Sequence, residues 1–214
     1  MGINACVVGA TGLVGHHVVE LLCADVEIAT IHLMARRATD IVHPKIMTHR
    51  LDFDQIKQSQ WPTCDVLFCC LGTTIKIAGS EAAFRKVDFD YVIAAGRRAR
   101  IAGASSLVVV SAMGAKQRSK VFYNRTKGDM EAAVASLGFK RVIIVRPSLL
   151  AGPRTQRRPA ERLALAIMKV GNLFLPKKYQ SISALTVARA MIMKAKDDVS
   201  GVRVIESDQL QRIA

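Results

Sequence analysis

Aromatic residues make up only 5% of this 214-residue chain. A core cannot rest on packed rings here and must be assembled mainly from Val, Ile, Leu, Ala and Met. Half of the residues are apolar, far too many for a disordered chain. No apolar run reaches the roughly 20 residues that a membrane-spanning helix needs. The opening MGINACVVGATG has neither the basic start nor the long apolar stretch of a secretory leader. Cys6 breaks the MGxxxS/T pattern of myristoylation. A first strand expected from Ile3 leaves no room for a targeting segment, so the expected location is the cytoplasm. Cysteine is sparse and odd in number: Cys6, Cys23, Cys64, Cys69 and Cys70, with no CxxC pair. Reduced core thiols fit that pattern better than a disulfide frame. The five histidines are scattered without ligand spacing, so no metal site is expected. Acids are the last shortage. Seventeen Asp and Glu face 31 Lys and Arg, a net charge of +14, which calls for an anionic ligand, a nucleic acid or a membrane surface.

What is present is a regular alternation of strand and helix. Short apolar runs at 3–8, 28–34, 66–70, 106–110 and 141–145 read as buried strands, with a weak one at 45–49. Between them, apolar residues fall at helical spacing over 13–23, from a Ser80 cap to a stop at Gly103, and over 122–137. After Pro147 come a basic loop, a helix from Ala160 to Val170, a helix over 184–196 and a strand over 202–205. Alternation of this kind predicts an α/β fold: one Rossmann-type, doubly wound parallel sheet with a small C-terminal helical extension. Residues 1–214 form one dinucleotide-binding domain in this reading, with 147–214 as its substrate-side extension. No signal in the sequence sets the oligomeric state.

The first strand runs into VVGATGLVG, where Gly9, Gly12 and Gly15 form GxxGxxG. Such a turn needs a residue without Cβ, lets the backbone approach a pyrophosphate, and packs helix tightly on strand. The phosphates then meet the positive helix N-terminus. NAD-specific domains place an acid at the end of the second strand for the ribose 2′-hydroxyl. Here that segment is IHLMARRAT, with Arg36 and Arg37, which suit a 2′-phosphate. The expected cofactor is therefore NADP(H) rather than NAD(H).

The fifth strand ends in VVVSAMG, placing Ser111 at the carboxyl edge of the sheet. YNRTK follows, with Tyr123 and Lys127 at i and i+4 on one helix face. Proton donation to a carbonyl oxygen near neutral pH needs a phenol more acidic than a free one. An ammonium beside Tyr123 lowers its pKa, and Ser111 can orient the carbonyl oxygen.

Together GATGLVG, LGTT, FRKVDFDY, VVVSAMGA, YNRTKGDME and VRPSLL resemble the atypical short-chain dehydrogenase/reductases. Within them, the chain looks like the family of the Tat-interacting NADPH-binding oxidoreductase and its bacterial relatives, over nearly its whole length. The resemblance implies a Ser111, Tyr123, Lys127 site. It also implies pyrophosphate contacts from Thr11, Gly12, Leu13 and Val14, and a 2′-phosphate on Arg36 and Arg37. Asp52 and Phe53 would flank the adenine, and Leu71, Gly72 and Thr73 would line the cofactor. Val87 would lie under the ribose, with Pro147 and Ser148 at the nicotinamide. The chain departs from the pattern on the central helix, where many such enzymes carry a relay asparagine. Val87 and Asp88 stand nearby, and neither is identified as its substitute.

The reaction expected is NADPH-dependent reduction of a small carbonyl compound. A non-catalytic NADP(H)-sensing or partner-binding module is one alternative, and an enzyme like the nucleotide-sugar epimerases and dehydratases is another. The basic clusters are not interleaved with aromatics, so base stacking is not suggested, and neither nucleic acid nor a membrane surface is the expected partner. Arg154, Arg157, Arg158 and Arg162 are read as a flap over the substrate site that favours anionic substrates.

Overall fold

The computed structural model describes residues 2–37, 39–151 and 176–213. Its strands are β1 (Ile3–Val8), β2 (Ile28–Ala35), β3 (Ile46–Arg50), β4 (Val66–Cys69), β5 (Ser106–Val110), β6 (Arg141–Arg146), β7 (Leu150–Ala151), β8 (Ile182–Ser183) and β9 (Gly201–Glu206). The α-helices are α1 (Leu13–Ala24), α2 (Ile75–Ala78), α3 (Glu81–Arg85), α4 (Tyr91–Ile101), α5 (Phe122–Ala135), α6 (Ala184–Lys196) and α7 (Ser207–Ile213). A 3-10 segment, Phe53–Gln58, follows β3.

Seven strands pair in the order β3-β2-β1-β4-β5-β6-β9, every pair parallel. This is the doubly wound Rossmann-type arrangement expected from the alternation. Winding runs outward from β1 to β3, then starts again at β4 on the other side. The strand order therefore switches between β1 and β4, and the crevice at their carboxyl ends is where such folds bind ligands.

Central strands are buried on both faces, as their continuous apolar runs require. Val7, Phe68, Val108 and Ile143 point to one face, packed under α1 and α6 by Val18, Leu22, Val187 and Met191. Val8, Leu67, Val109 and Ile144 point to the other, under Ile93, Met130 and Val134 of α4 and α5. Each fully buried Leu, Ile, Val or Met of this kind contributes roughly 1.5–3 kcal/mol in transfer free energy. The low aromatic content is consistent with such a core, in which Phe68 and Phe84 are the only rings among the largest fully buried side chains described.

Two differences from the sequence reading matter. The helix expected from Ser80 to Gly103 is not continuous. Ser80 does cap α3, accepting from the Ala83 amide at 3.1 Å. A π-helical turn, Lys86–Asp90, then separates α3 from α4. Second, the C-terminal part is more than a helical extension. β9 pairs with β6 as the seventh strand, and α6 packs against α1. The arginine-rich flap at 154–162 and the helix at 160–170 lie outside the described residues.

Candidate cofactor and catalytic site

The glycine turn is built by close backbone approach. Gly9 has φ +80°, and a Cβ there would sit 2.6 Å from the Cys70 carbonyl at the end of β4. A Cβ on Gly15 would fall 2.1 Å from the Gly9 carbonyl oxygen, so α1 packs directly onto the turn. Gly12 precedes α1 in extended conformation and donates its amide to Gly9 O at 3.0 Å, without a side-chain cap on the helix. The first amides of α1 are thus left open. Thr11 and Gly12 are exposed and Leu13 is half-buried, while Val14 faces the core and offers only its backbone.

Arg36 and Arg37 are exposed in the bend after β2, and neither has an ion-pair partner among the described residues. An open helix N-terminus and a cradle that side chains would fill fit the pyrophosphate of a dinucleotide. Asp52 is exposed, its carboxylate accepting the Asp54 amide at 2.9 Å. Phe53 is buried against the Tyr91 ring, 5.3 Å between centroids. Leu71, Gly72 and Thr73 form the loop after β4, with Gly72 exposed.

The π turn aims Asp88 inward. Its carboxylate is fully buried and meets the Lys127 ammonium at 2.8 Å through Oδ1. Oδ2 accepts the Thr73 amide at 2.9 Å. Lys127, 2% exposed, also reaches the Val110 carbonyl at 3.4 Å. Asp88 therefore ties together the loop after β4, the π turn and α5. Val87, half-buried, stands one residue earlier on the same turn. Wide helical turns of this kind commonly mark functional positions.

Tyr123 is half-buried, its ring 5.2 Å from that of Phe84. Burial pushes its phenol above the ordinary value, Lys127 pulls it down, and Asp88 raises it again. The net direction is upward. Lys127 acts as expected, but burial outweighs it and Asp88 opposes it.

Ser111 belongs to a neighbouring buried group. Its hydroxyl donates to Glu131 Oε1 at 2.5 Å. Glu131 is held by Arg146 through two bonds, 2.9 Å and 2.6 Å, and Arg146 reaches Glu206 at 2.8 Å. These carboxylates raise the Arg146 guanidinium pKa further, locking it cationic. The Ser111 proton is thus engaged by Glu131, and orienting a substrate carbonyl requires the hydroxyl to rotate. Pro147 is buried, its carbonyl accepting the Met113 amide at 3.0 Å. The Ser148 hydroxyl donates to the Gln180 carbonyl at 2.5 Å and accepts from Ser207 at 2.9 Å, so its side chain serves the C-terminal segment.

Sequence reasoning missed Asp88 and Glu131 as site residues. The signal for both was an acid on a buried helical stripe: Asp88 is four residues from Phe84 and Val92, and Glu131 four from Lys127. Charges in such positions are rare unless paired.

The geometry defines an NAD(P)-binding protein of the Rossmann type, and comparison with known proteins agrees. Residues 4–121, more than half of the chain, match the family model "Semialdehyde dehydrogenase, NAD binding domain". The mitochondrial protein FMP52 of Coccidioides immitis is 34% identical over 98% of this chain and 91% of its own length. FMP52 of Candida albicans is 30% identical over 97% and 96%. The fold is shared with UDP-glucose 4-epimerase from Thermotoga maritima, at TM-score 0.68 and 16% identity, covering 98% of this chain and 81% of that one. The chain belongs to the FMP52 family of NAD(P)-binding proteins.

The expectation of a cytoplasmic location is overturned by these relatives, which match over nearly full length and are named as mitochondrial. That expectation rested on the lack of a secretory leader and on a first strand at Ile3 taken to leave no room for a targeting segment. Free thiols report a reducing environment rather than one compartment, and five are present among the described residues.

Proposed function

We propose that this protein is an NADPH-dependent oxidoreductase that reduces a small carbonyl compound. The observation that carries the reading is the buried Lys127 ammonium, fixed by Asp88, one helical turn after Tyr123 and tied through Asp88 to the loop after β4. Thr11, Gly12, Leu13 and the Val14 backbone would hold the pyrophosphate, and Arg36 and Arg37 the 2′-phosphate. Bound NADPH supplies a hydride. The chain supplies the proton, from Tyr123 Oη to the carbonyl oxygen of the substrate, with Lys127 favouring the phenolate that remains. Asp88 acts as a positioning residue, holding Lys127 in place. Ser111, released from Glu131, would orient the carbonyl.

The test is Tyr123→Phe. NADPH affinity should stay within about twofold of wild type, since the ring remains, while carbonyl reduction falls by about 10²–10⁴. Unchanged turnover would remove Tyr123 from the chemistry.

A second reading, a non-catalytic NADP(H)-binding module, is favoured by the raised Tyr123 pKa and the engaged Ser111 proton. Tight NADPH binding without oxidation across a broad carbonyl panel would select it.

A further inference from the structure

The excess of positive charge is not spread evenly around the sheet. At the amino edge, Lys45, Lys194, Lys196 and Arg203 are held by carbonyls or carboxylates. Lys45 donates to the Cys23 and Asp25 carbonyls at 3.1 and 2.7 Å. Lys196 pairs with Asp25 and Glu27, and Lys194 and Arg203 with Asp197. At the carboxyl edge two groups have no carboxylate partner among the described residues. One is Arg36, Arg37 and Arg50, after β2 and at the end of β3. The other is Lys116, Arg118 and Lys120, all exposed, on the loop between β5 and α5.

The second group is held on a stiff support. The Lys116 amide donates to Asn124 O at 3.0 Å, and the Ser119 amide to Lys116 O at 3.0 Å. The Arg125 guanidinium donates to the Ser119 and Lys120 carbonyls at 2.8 and 3.3 Å. A Cβ on Gly128 would lie 2.3 Å from the Lys116 carbonyl carbon, so the loop backbone rests directly on α5. Three like charges in five residues repel one another, and no described carboxylate relieves them. Their loop runs directly into the turn of α5 that carries Tyr123, at the end of the crevice opposite Arg36 and Arg37.

Resting on the reductase reading, we infer that Lys116, Arg118 and Lys120 form the anion subsite for the substrate, and that the substrate is a carbonyl compound bearing a terminal phosphate or diphosphate. One cation would suffice for a carboxylate, whereas three exposed cations within five residues of one braced loop match a multiply charged group. Arg36 and Arg37 serve the cofactor's phosphate, and this cluster serves the substrate's.

The test uses the full chain saturated with NADPH, so that the cofactor's own phosphate sites are filled, and titrates it with inorganic diphosphate by calorimetry. The triple variant Lys116→Gln, Arg118→Gln, Lys120→Gln should bind diphosphate about tenfold or more weakly. Its NADPH affinity should change less than about twofold. Kinetically, glyceraldehyde 3-phosphate should be preferred to glyceraldehyde in wild type. That preference should collapse in the variant while the rate on glyceraldehyde stays the same. Equal diphosphate binding by both proteins, or none by wild type, overturns the subsite, and the reductase reading survives if glyceraldehyde is still reduced. Conversely, variant-sensitive diphosphate binding with no carbonyl reduced upholds the anion site and overturns the reductase reading.

Discussion

Asp88 is the residue on which the candidate site turns. One oxygen of this buried carboxylate lies 2.8 Å from the Lys127 ammonium as an ion pair and the other accepts the Thr73 amide at 2.9 Å, so removing it strands Lys127 in a dry site. Asp88→Ala should therefore destabilise the fold by about 3–5 kcal/mol in urea unfolding. Asp88→Asn keeps an acceptor for the Thr73 amide and should cost less. Its effect on chemistry has a definite sign. Asp88 raises the Tyr123 pKa and Lys127 lowers it, so loss of the carboxylate lowers it. Reduction needs the protonated phenol. The alkaline limb of the reduction rate should move to lower pH in Asp88→Asn, and movement to higher pH would contradict the assignment. The residues the sequence singled out were those with a motif around them: the three glycines, Arg36 and Arg37, Tyr123 and Lys127. Asp88 was noticed only as standing near the place where many such enzymes carry a relay asparagine, and its role was not read. Ser111 was placed at the correct edge of the sheet, but its partner Glu131 comes from 20 residues later on another element, which spacing alone does not reveal.

At the scale of elements, the strands and most helices were readable because apolar runs and periodicity dictate them. The π turn was not. Its sequence, KVDFD, keeps helical propensity throughout, and the widening at Lys86–Asp90 accompanies the tertiary placement of Asp88 against Lys127. Nor did the pattern place β9 beside β6, because strand order follows from packing of the C-terminal helices rather than from any one segment. Contacts between elements make two further predictions. Gly128→Ala puts a methyl group 2.3 Å from the backbone of Lys116, so the loop must lift from α5. We expect a loss of about 1–3 kcal/mol, with faster hydrogen exchange at the Lys116 amide, whose bond to Asn124 must stretch. The second concerns β4, where burial pushes the Cys69 thiol up to about 12 from an ordinary 9.0. A raised pKa means the folded state keeps its proton longer than the unfolded chain. That contribution is complete below pH 9 and is lost as pH rises toward 12, at about 1.4 kcal/mol per pH unit. Cys69→Ala should flatten the decline in stability over that window by about that amount, and an unchanged slope would count against burial as the cause.

Across the whole molecule, charge, fold and site converge on one edge of the sheet. The switch between β1 and β4 opens a crevice, the glycine turn leaves helix amides facing it, and Asp88 organises the site beside it. Basic residues at the amino edge pair with carboxylates or carbonyls, while those flanking the crevice at Arg36, Arg37 and the 116–120 loop stay free among the described residues. On the readings proposed above, these unpaired cations among the described residues form a field suited to phosphorylated ligands. The measurement that tests this most directly is fluorescence titration of the full chain with NADPH and with NADH, beside the variant Arg36→Gln, Arg37→Gln. The account predicts that wild type binds NADPH about tenfold or more tightly than NADH, and that the variant binds both with the affinity wild type has for NADH. Equal affinities in wild type, or a preference for NADPH that survives in the variant, would contradict it.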